Sequence, residues 1–145
     1  MILCDTEKTD PNLLLDAKKI IKSLGMSIKT MNSKEHDKHI AYVSHLSHIS
    51  SFMLGKTVMD KEDDEHAIYN MAGSGFESTV RLAKSSPEMW SSIFVENKKN
   101  IIESLDEYIS NINNFKKLIE VSDQKTLNNE MKRINEIKNI LKGIK

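Results

Sequence analysis

His45 and His48 stand three residues apart, so on a helix both rings leave from one side, near Ala41 and Phe52. An imidazole can donate, accept, move a proton or bind a metal. The residues alone leave three readings open: a structural pair satisfied by neighbours, a ligand-binding pair, or a metal pair. The metal reading is the weakest of the three, because helical di-metal sites need Glu on two helices and Glu-x-x-His on two more. Only Asp63, three residues before His66, approaches that pattern, and it has no second copy. His36 and His39 fall on a different face, at the start of the same helix.

A second group is Gly73-Ser74-Gly75-Phe76-Glu77-Ser78-Thr79-Val80-Arg81. A glycine-flanked helix start offers free backbone N–H groups to an anion or carbonyl oxygen. Arg81 follows about two turns later, and its planar guanidinium suits a bidentate pair with a carboxylate. A capped surface helix with a solvated arginine fits the same residues. These glycines are not a dinucleotide fingerprint, since no Gly-x-Gly-x-x-Gly follows a strand anywhere in the chain. Trp90, the single tryptophan, is either a core anchor or the wall of an aromatic-sized pocket.

The elements that hold these groups divide in two. Residues 1–31 read as strand, helix, strand. Ile2-Leu3-Cys4 is a short apolar run, and Asp10-Pro11 reads as an N-cap followed by proline at the first helical position. That helix is expected to bury Leu14, Leu15, Ala17, Ile20, Ile21 and Leu24 and to stop at Gly25, before an alternating strand over 26–31. A parallel pair does not stand alone in water, so the segment reads as the end of a larger α/β sheet. From Ser33 on the pattern is helical. Ser33 is expected to cap a helix to about Met59, with Ser44, Ser47, Ser51 and Gly55 forming a strip for close packing. Residues 60–66 read as a charged turn leading into a short helix through Met71. Ser74 with Glu77 reads as a capping box for a helix to about Lys84. Ser86-Pro87-Glu88 opens the longest helix, which if continuous runs to Val121, with a heptad seam through Trp90, Phe94, Asn97, Ile101, Leu105, Tyr108, Ile112, Phe115 and Ile119. A last helix from about Asp123 offers Leu127, Met131, Ile134, Ile137, Leu141 and Ile144.

Bulk composition narrows the class. The 145 residues suit one domain, or one domain plus a short piece of another. With 21 basic and 21 acidic residues there is no net field to attract nucleic acid or an anionic membrane. The lone Cys4 has no internal partner and no nearby histidine to activate it, which points to a reducing compartment and an inert thiol. No stretch reaches the ~18 apolar residues of a membrane helix, and the N-terminus lacks a signal-peptide pattern. A cytoplasmic protein is expected.

Ser44-His45-Leu46-Ser47-His48 resembles the Ser-His-Leu-Pro-His motif of prephenate and arogenate dehydrogenases, and Glu35-His36-Asp37-Lys38-His39 resembles the His-Asp that opens the same helix. Gly73-Ser74-Gly75-Phe76 with Thr79 and Arg81 is similar to that family's Gly-Gly-Gly-Phe…Thr-Arg segment. Ser86-Pro87-Glu88-Met89-Trp90 is similar to its Asp-Pro-x-Met-Trp, and Ile93-Phe94-Val95-Glu96-Asn97 continues it. The likeness covers about residues 33–100. It departs at Ser47, at Ser74 and at Ser78, which stands where the family has an acid three residues before the arginine. Glu77 cannot replace that acid, since one residue turns the helix by ~100°.

The resemblance implies a mainly α fold: a helical bundle dimerisation domain (6-phosphogluconate dehydrogenase C-terminal-like) over 32–145. A short strand-helix-strand remnant of an α/β nucleotide-binding domain, 1–31, precedes it. It implies an NAD- or NADP-dependent oxidative decarboxylation of prephenate to 4-hydroxyphenylpyruvate, on the route to tyrosine. Substrate-binding roles pass to His45, His48, Gly73, Gly75, Arg81 and Trp90. The family's cofactor site and catalytic histidine belong to the nucleotide-binding domain. No catalytic, cofactor-binding or metal-binding residue is therefore expected in this fragment, and no bound cofactor. The expected partners are a second copy, forming a homodimer through the seam of residues 90–119 and the last helix, and the small-molecule substrate prephenate or arogenate. The alternative is a non-catalytic helical dimerisation or regulatory protein of the same fold. Because the chain opens on strand residues in mid-unit, truncation of a longer enzyme is the favoured reading.

Overall fold

A computed structural model of the chain describes residues 1–65 and 67–143. His66 and Ile144, which entered the metal and last-helix readings, lie outside the described residues. Among the described residues the fold is mainly α, with one small parallel sheet.

Strand β1 (Ile2–Cys4) pairs in parallel with β2 (Lys29–Met31), Leu3 opposite Thr30. Helix α1 (Pro11–Ser23) crosses between them. Its start follows from the sequence: Asp10 accepts from the Asn12 and Leu13 amides, and Pro11 occupies the first helical position. Its end is a Schellman turn, with Met26 N–H donating to Ile21 O and Gly25 N–H to Lys22 O. Gly25 has φ +74°, a left-handed conformation that favours glycine. The second strand is shorter than expected, three residues rather than six.

The expected burial of the α1 face is not found. Leu15, Ile20 and Leu24 are all more than half exposed, and Leu14, Ala17 and Ile21 are only partly covered. A two-stranded sheet is too narrow to cover a helix face.

Helix α2 (Ser33–Ile40) is capped by Asn32, whose side chain accepts from Lys34 N–H, one residue before the expected Ser33. Ser33 has another role: its N–H and hydroxyl both donate to the Asp5 carboxylate. The path then widens into a π segment, Ala41–His45, where Leu46 N–H reaches back to Ala41 O. Helix α3 (Leu46–Glu65) follows, so residues 60–65 are helical and not a turn. No glycine or proline interrupts them, and a Lys56–Asp60 ion pair braces the same surface. A single 3₁₀ turn at Tyr69–Met71 replaces the expected short helix, and the Glu62 carboxylate accepts from the amides of Ile68 and Tyr69 at its start.

Helix α4 (Ser74–Val80) passes into a 3₁₀ turn, Arg81–Lys84. There is no capping box: Gly73 is the N-cap, Ser74 is already helical, and no side chain caps the start. Helix α5 (Pro87–Glu96) opens as expected, the Ser86 hydroxyl accepting from Met89 N–H. The long helix is not continuous, because Asn97 leaves the helical path (φ −101°, ψ 25°) before α6 (Lys98–Glu120). The last helix is likewise two pieces, α7 (Gln124–Ile134), capped by Asp123, and α8 (Ile137–Leu141).

The chain divides into two compact units, Met1–Ser104 and Leu105–Lys145. In the first, the buried apolar residues are Ala41, Trp90 and Ile101, joined by buried His45, Ser51 and Ser104. In the second no described residue is buried, and Ile112, Ile119, Val121, Ile134 and Ile140 are each about half exposed or more.

Candidate functional site

The site grows from the π segment and the first turn of α3. His45, 7% exposed, ends the π segment, and His48 follows one turn on. Both rings meet Trp90 of α5. His48 stacks on the indole with centroids 3.5 Å apart and planes 25° apart; His45 meets it edge-on at 5.9 Å. Phe94 extends the cluster, 5.4 Å from Trp90. Trp90 is 8% exposed, and among the described residues its indole N–H has no hydrogen-bond partner. Trp90 is thus a core anchor, packed beneath two imidazoles.

His45 Nδ1 lies 3.2 Å from the Asn97 amide nitrogen, which also donates to Asp37 O at 2.7 Å. These bonds explain the break between α5 and α6: the side chain of Asn97 turns inward to α2 and the π segment. Removal from water lowers the pKa of His45 below its ordinary 6.5; Asp37 opposes this, while His48 and His36 reinforce it. The shift favours the uncharged imidazole. His48 Nδ1 bonds the Ser44 carbonyl at 3.0 Å.

One turn beyond His48 on the same face stands Ser51, 1% exposed. Its hydroxyl donates to Thr79 O and accepts from Ala83 N–H, both at 3.1 Å. Thr79 and Ala83 are four residues apart, so in an unbroken α-helix they would bond each other. Ser51 has inserted between them, and there α4 tightens into the 3₁₀ turn that carries Arg81. Gly55 lies one turn further on, where an added Cβ would sit 4.0 Å from the Ala83 Cβ. Ser51 and Gly55, two of the four residues of the small-residue strip, thus receive this segment.

Arg81 is exposed and has no ion-pair partner among the described residues. Gly73 and Gly75 are exposed too, with open space where a Cβ would point. The structure brings His45, His48 and Trp90 into contact. It ties the Arg81 turn to the histidine helix through Ser51, without direct contact between Arg81 and either imidazole among the described residues. Asn97 was missed as a site residue. Its signal in the sequence was a polar side chain in an otherwise apolar seam. The first part of that seam is occupied inside the chain, Trp90 by the histidines, Asn97 by Asp37 and His45, and Ile101 by burial.

Residues 32–133 match the family described as "Prephenate dehydrogenase, dimerization domain". A prephenate dehydrogenase of Bacillus subtilis is 30% identical over 87% of this chain and 34% of its own length. Among solved structures, prephenate dehydrogenase from A. aeolicus, in complex with hydroxyphenyl propionate and NAD+, superposes with a TM-score of 0.85. That structure is 32% identical, over 96% of this chain and 48% of that one. Arogenate dehydrogenase from Synechocystis gives a TM-score of 0.82 at 25% identity, over 97% of this chain and 51% of that one. The chain therefore spans about a third of the curated relatives' length and about half of the solved chains. The histidine pair, the glycine-opened helix and the arginine turn all fall inside the matched span, and the chain belongs to the prephenate dehydrogenase dimerization-domain family.

Proposed function

We propose that this chain contributes the helical half of the substrate site, and the dimer contact, of a prephenate or arogenate dehydrogenase. In that reaction a cyclohexadienol carboxylate loses carbon dioxide and passes hydride to a nicotinamide, and an aromatic ring forms. From prephenate the product is 4-hydroxyphenylpyruvate. The observation that carries this reading is the pair of imidazoles packed on Trp90, one helical turn from the serine that clamps the Arg81 turn.

In this reading Arg81 holds a substrate carboxylate through its guanidinium fork. Neutral His45, with His48, lines the pocket; Trp90 orients both rings. The backbone at Gly73 and Gly75 approaches the ligand where no side chain intervenes. Residues 1–31 form the last strand-helix-strand unit of a nucleotide-binding domain, and residues 32–145 the substrate-binding and dimerisation domain. NAD or NADP would accept the hydride. This chain's own residues do not fit a dinucleotide: its sheet has two strands, and no glycine fingerprint follows either. The chain alone is accordingly inactive as a dehydrogenase. The homodimer uses the apolar residues beyond position 105, including Ile112 and Ile119, with those of α7 and α8. Their exposure within one chain supports that assignment.

Calorimetric titration with 4-hydroxyphenylpyruvate tests the site. Binding by the wild-type chain that disappears in Arg81→Ala is the expected result. Equal binding by both would remove Arg81 from the site.

A further inference from the structure

Two backbone carbonyls constrain the tautomers of the two histidines. A carbonyl only accepts. Asp37 O lies 2.7 Å from Asn97 Nδ2, so the nitrogen of that amide, and not its oxygen, must face the carbonyl. Asn97 Oδ1 in turn accepts from Asn100 Nδ2 at 2.7 Å, which fixes the amide from its other end. The same Asn97 Nδ2 lies 3.2 Å from His45 Nδ1. An amide nitrogen only donates, so His45 Nδ1 must accept and the ring proton must reside on Nε2.

His48 is the reverse. Its Nδ1 faces Ser44 O at 3.0 Å, so Nδ1 carries a proton, and in the uncharged ring the lone pair is left on Nε2. Neither Nε2 has a partner among the described residues. Trp90, packed against both imidazoles, opposes ring rotation that would exchange their nitrogens.

We propose that Asn97 is a positioning residue that holds His45 as an uncharged Nε2–H donor, while the Ser44 carbonyl holds His48 as the complementary Nε2 acceptor. The pair then selects a ligand that offers an accepting oxygen to His45 and a proton-bearing group, hydroxyl or ammonium, to His48. Protonating His45 would set its Nδ1–H against the Asn97 N–H, two donors facing each other, so the arrangement also keeps the donor neutral. The recognition half rests on the reading of these rings as ligand-facing; the tautomer assignment does not.

Two-bond proton–nitrogen correlation spectra of the ¹⁵N-histidine-labelled chain, at mildly alkaline pH, read the tautomers directly. Single His45→Gln and His48→Gln variants assign the rings. His45 should show a protonated Nε2 and a bare Nδ1, and His48 the opposite pattern. Asn97→Asp replaces the donor with an acceptor, so the His45 proton should move to Nδ1 while His48 is unchanged. A wild-type His45 protonated on Nδ1, or a His45 pattern unaltered by Asn97→Asp, overturns the role of Asn97. If that variant does not fold, the wild-type spectrum alone decides. Titrating 3-(4-hydroxyphenyl)propionate should shift both Nε2 resonances, and Asn97→Asp should weaken its binding about tenfold, the equivalent of one hydrogen bond. Correct tautomers with no ligand-induced shift would overturn the recognition half and leave the positioning role standing.

Discussion

Replacing Ser51 with alanine tests the inserted hydroxyl that shapes the Arg81 turn. Ser51 is 1% exposed and makes two hydrogen bonds, to Thr79 O and from Ala83 N–H. Two such bonds contribute about 1–3 kcal/mol net. The loss is partly offset, because Thr79 O and Ala83 N–H are spaced to bond each other once the hydroxyl is gone. Alanine also has a helix propensity better than serine's by about 0.5 kcal/mol. The expected destabilisation is about 1 kcal/mol. In urea at fixed protein concentration this lowers the midpoint by about 0.5 M, with an unchanged slope. Ser50→Ala is the control: that hydroxyl only bonds back to Ser47 O in its own helix, so its effect should stay within about 0.5 kcal/mol. Closing the ladder extends α4 by a turn and re-aims Arg81, so ligand affinity should fall more in Ser51→Ala than stability alone explains. Equal midpoints and equal affinities for the two variants would refute the reasoning.

Trp90→Ala should cost about 3–5 kcal/mol, the range for a buried aromatic, and should release both imidazoles; a smaller loss in thermal unfolding would show that Trp90 is not the core anchor. Asp5, held at about 2 instead of 3.8 by its hydrogen bonds from Ser33 and then by Lys8, gives a pH test. A depressed carboxyl stabilises the fold above its unfolded value, so the contribution is full above pH 3.8 and disappears as pH falls through about 2. Asp5→Asn keeps a residue type that tolerates φ 49°, and its stability deficit should vanish at the acid end; a deficit independent of pH would discount the charge. Light scattering should give a dimer mass that Ile112→Glu with Ile119→Glu converts to monomer. A monomer in the wild type at all concentrations would sink the proposed interface.

What the sequence disclosed is what short-range chemistry determines. Asp10-Pro11 and Ser86-Pro87 opened helices because cap, proline and first turn lie within three residues of one another. The three-residue spacing of His45 and His48 sufficed to put both rings on one side of the helix, while the Trp90 that meets them there comes from a distant helix. The features that escaped are imposed from a distance. The break at Asn97 depends on partners 52 and 60 residues away, and the Arg81 turn on a serine 28 to 32 residues earlier. The charged run after Met59 misled because charge marks solvent, and an exposed helix face is as solvated as a turn.

The Asp5–Ser33 contact bears on how this polypeptide comes apart. Ser33 N–H is one of the unpaired amides at the start of α2, and a carboxylate from the loop after β1 satisfies it across 28 residues of sequence. Opening the strand pair would strip that amide of its acceptor, so the sheet and the first turn of the helical region unfold in one cooperative step. In hydrogen exchange the amide of Lys29, which donates to Met1 O across the strand pair, and that of Ser33 should therefore share one opening free energy, although the family boundary runs between them.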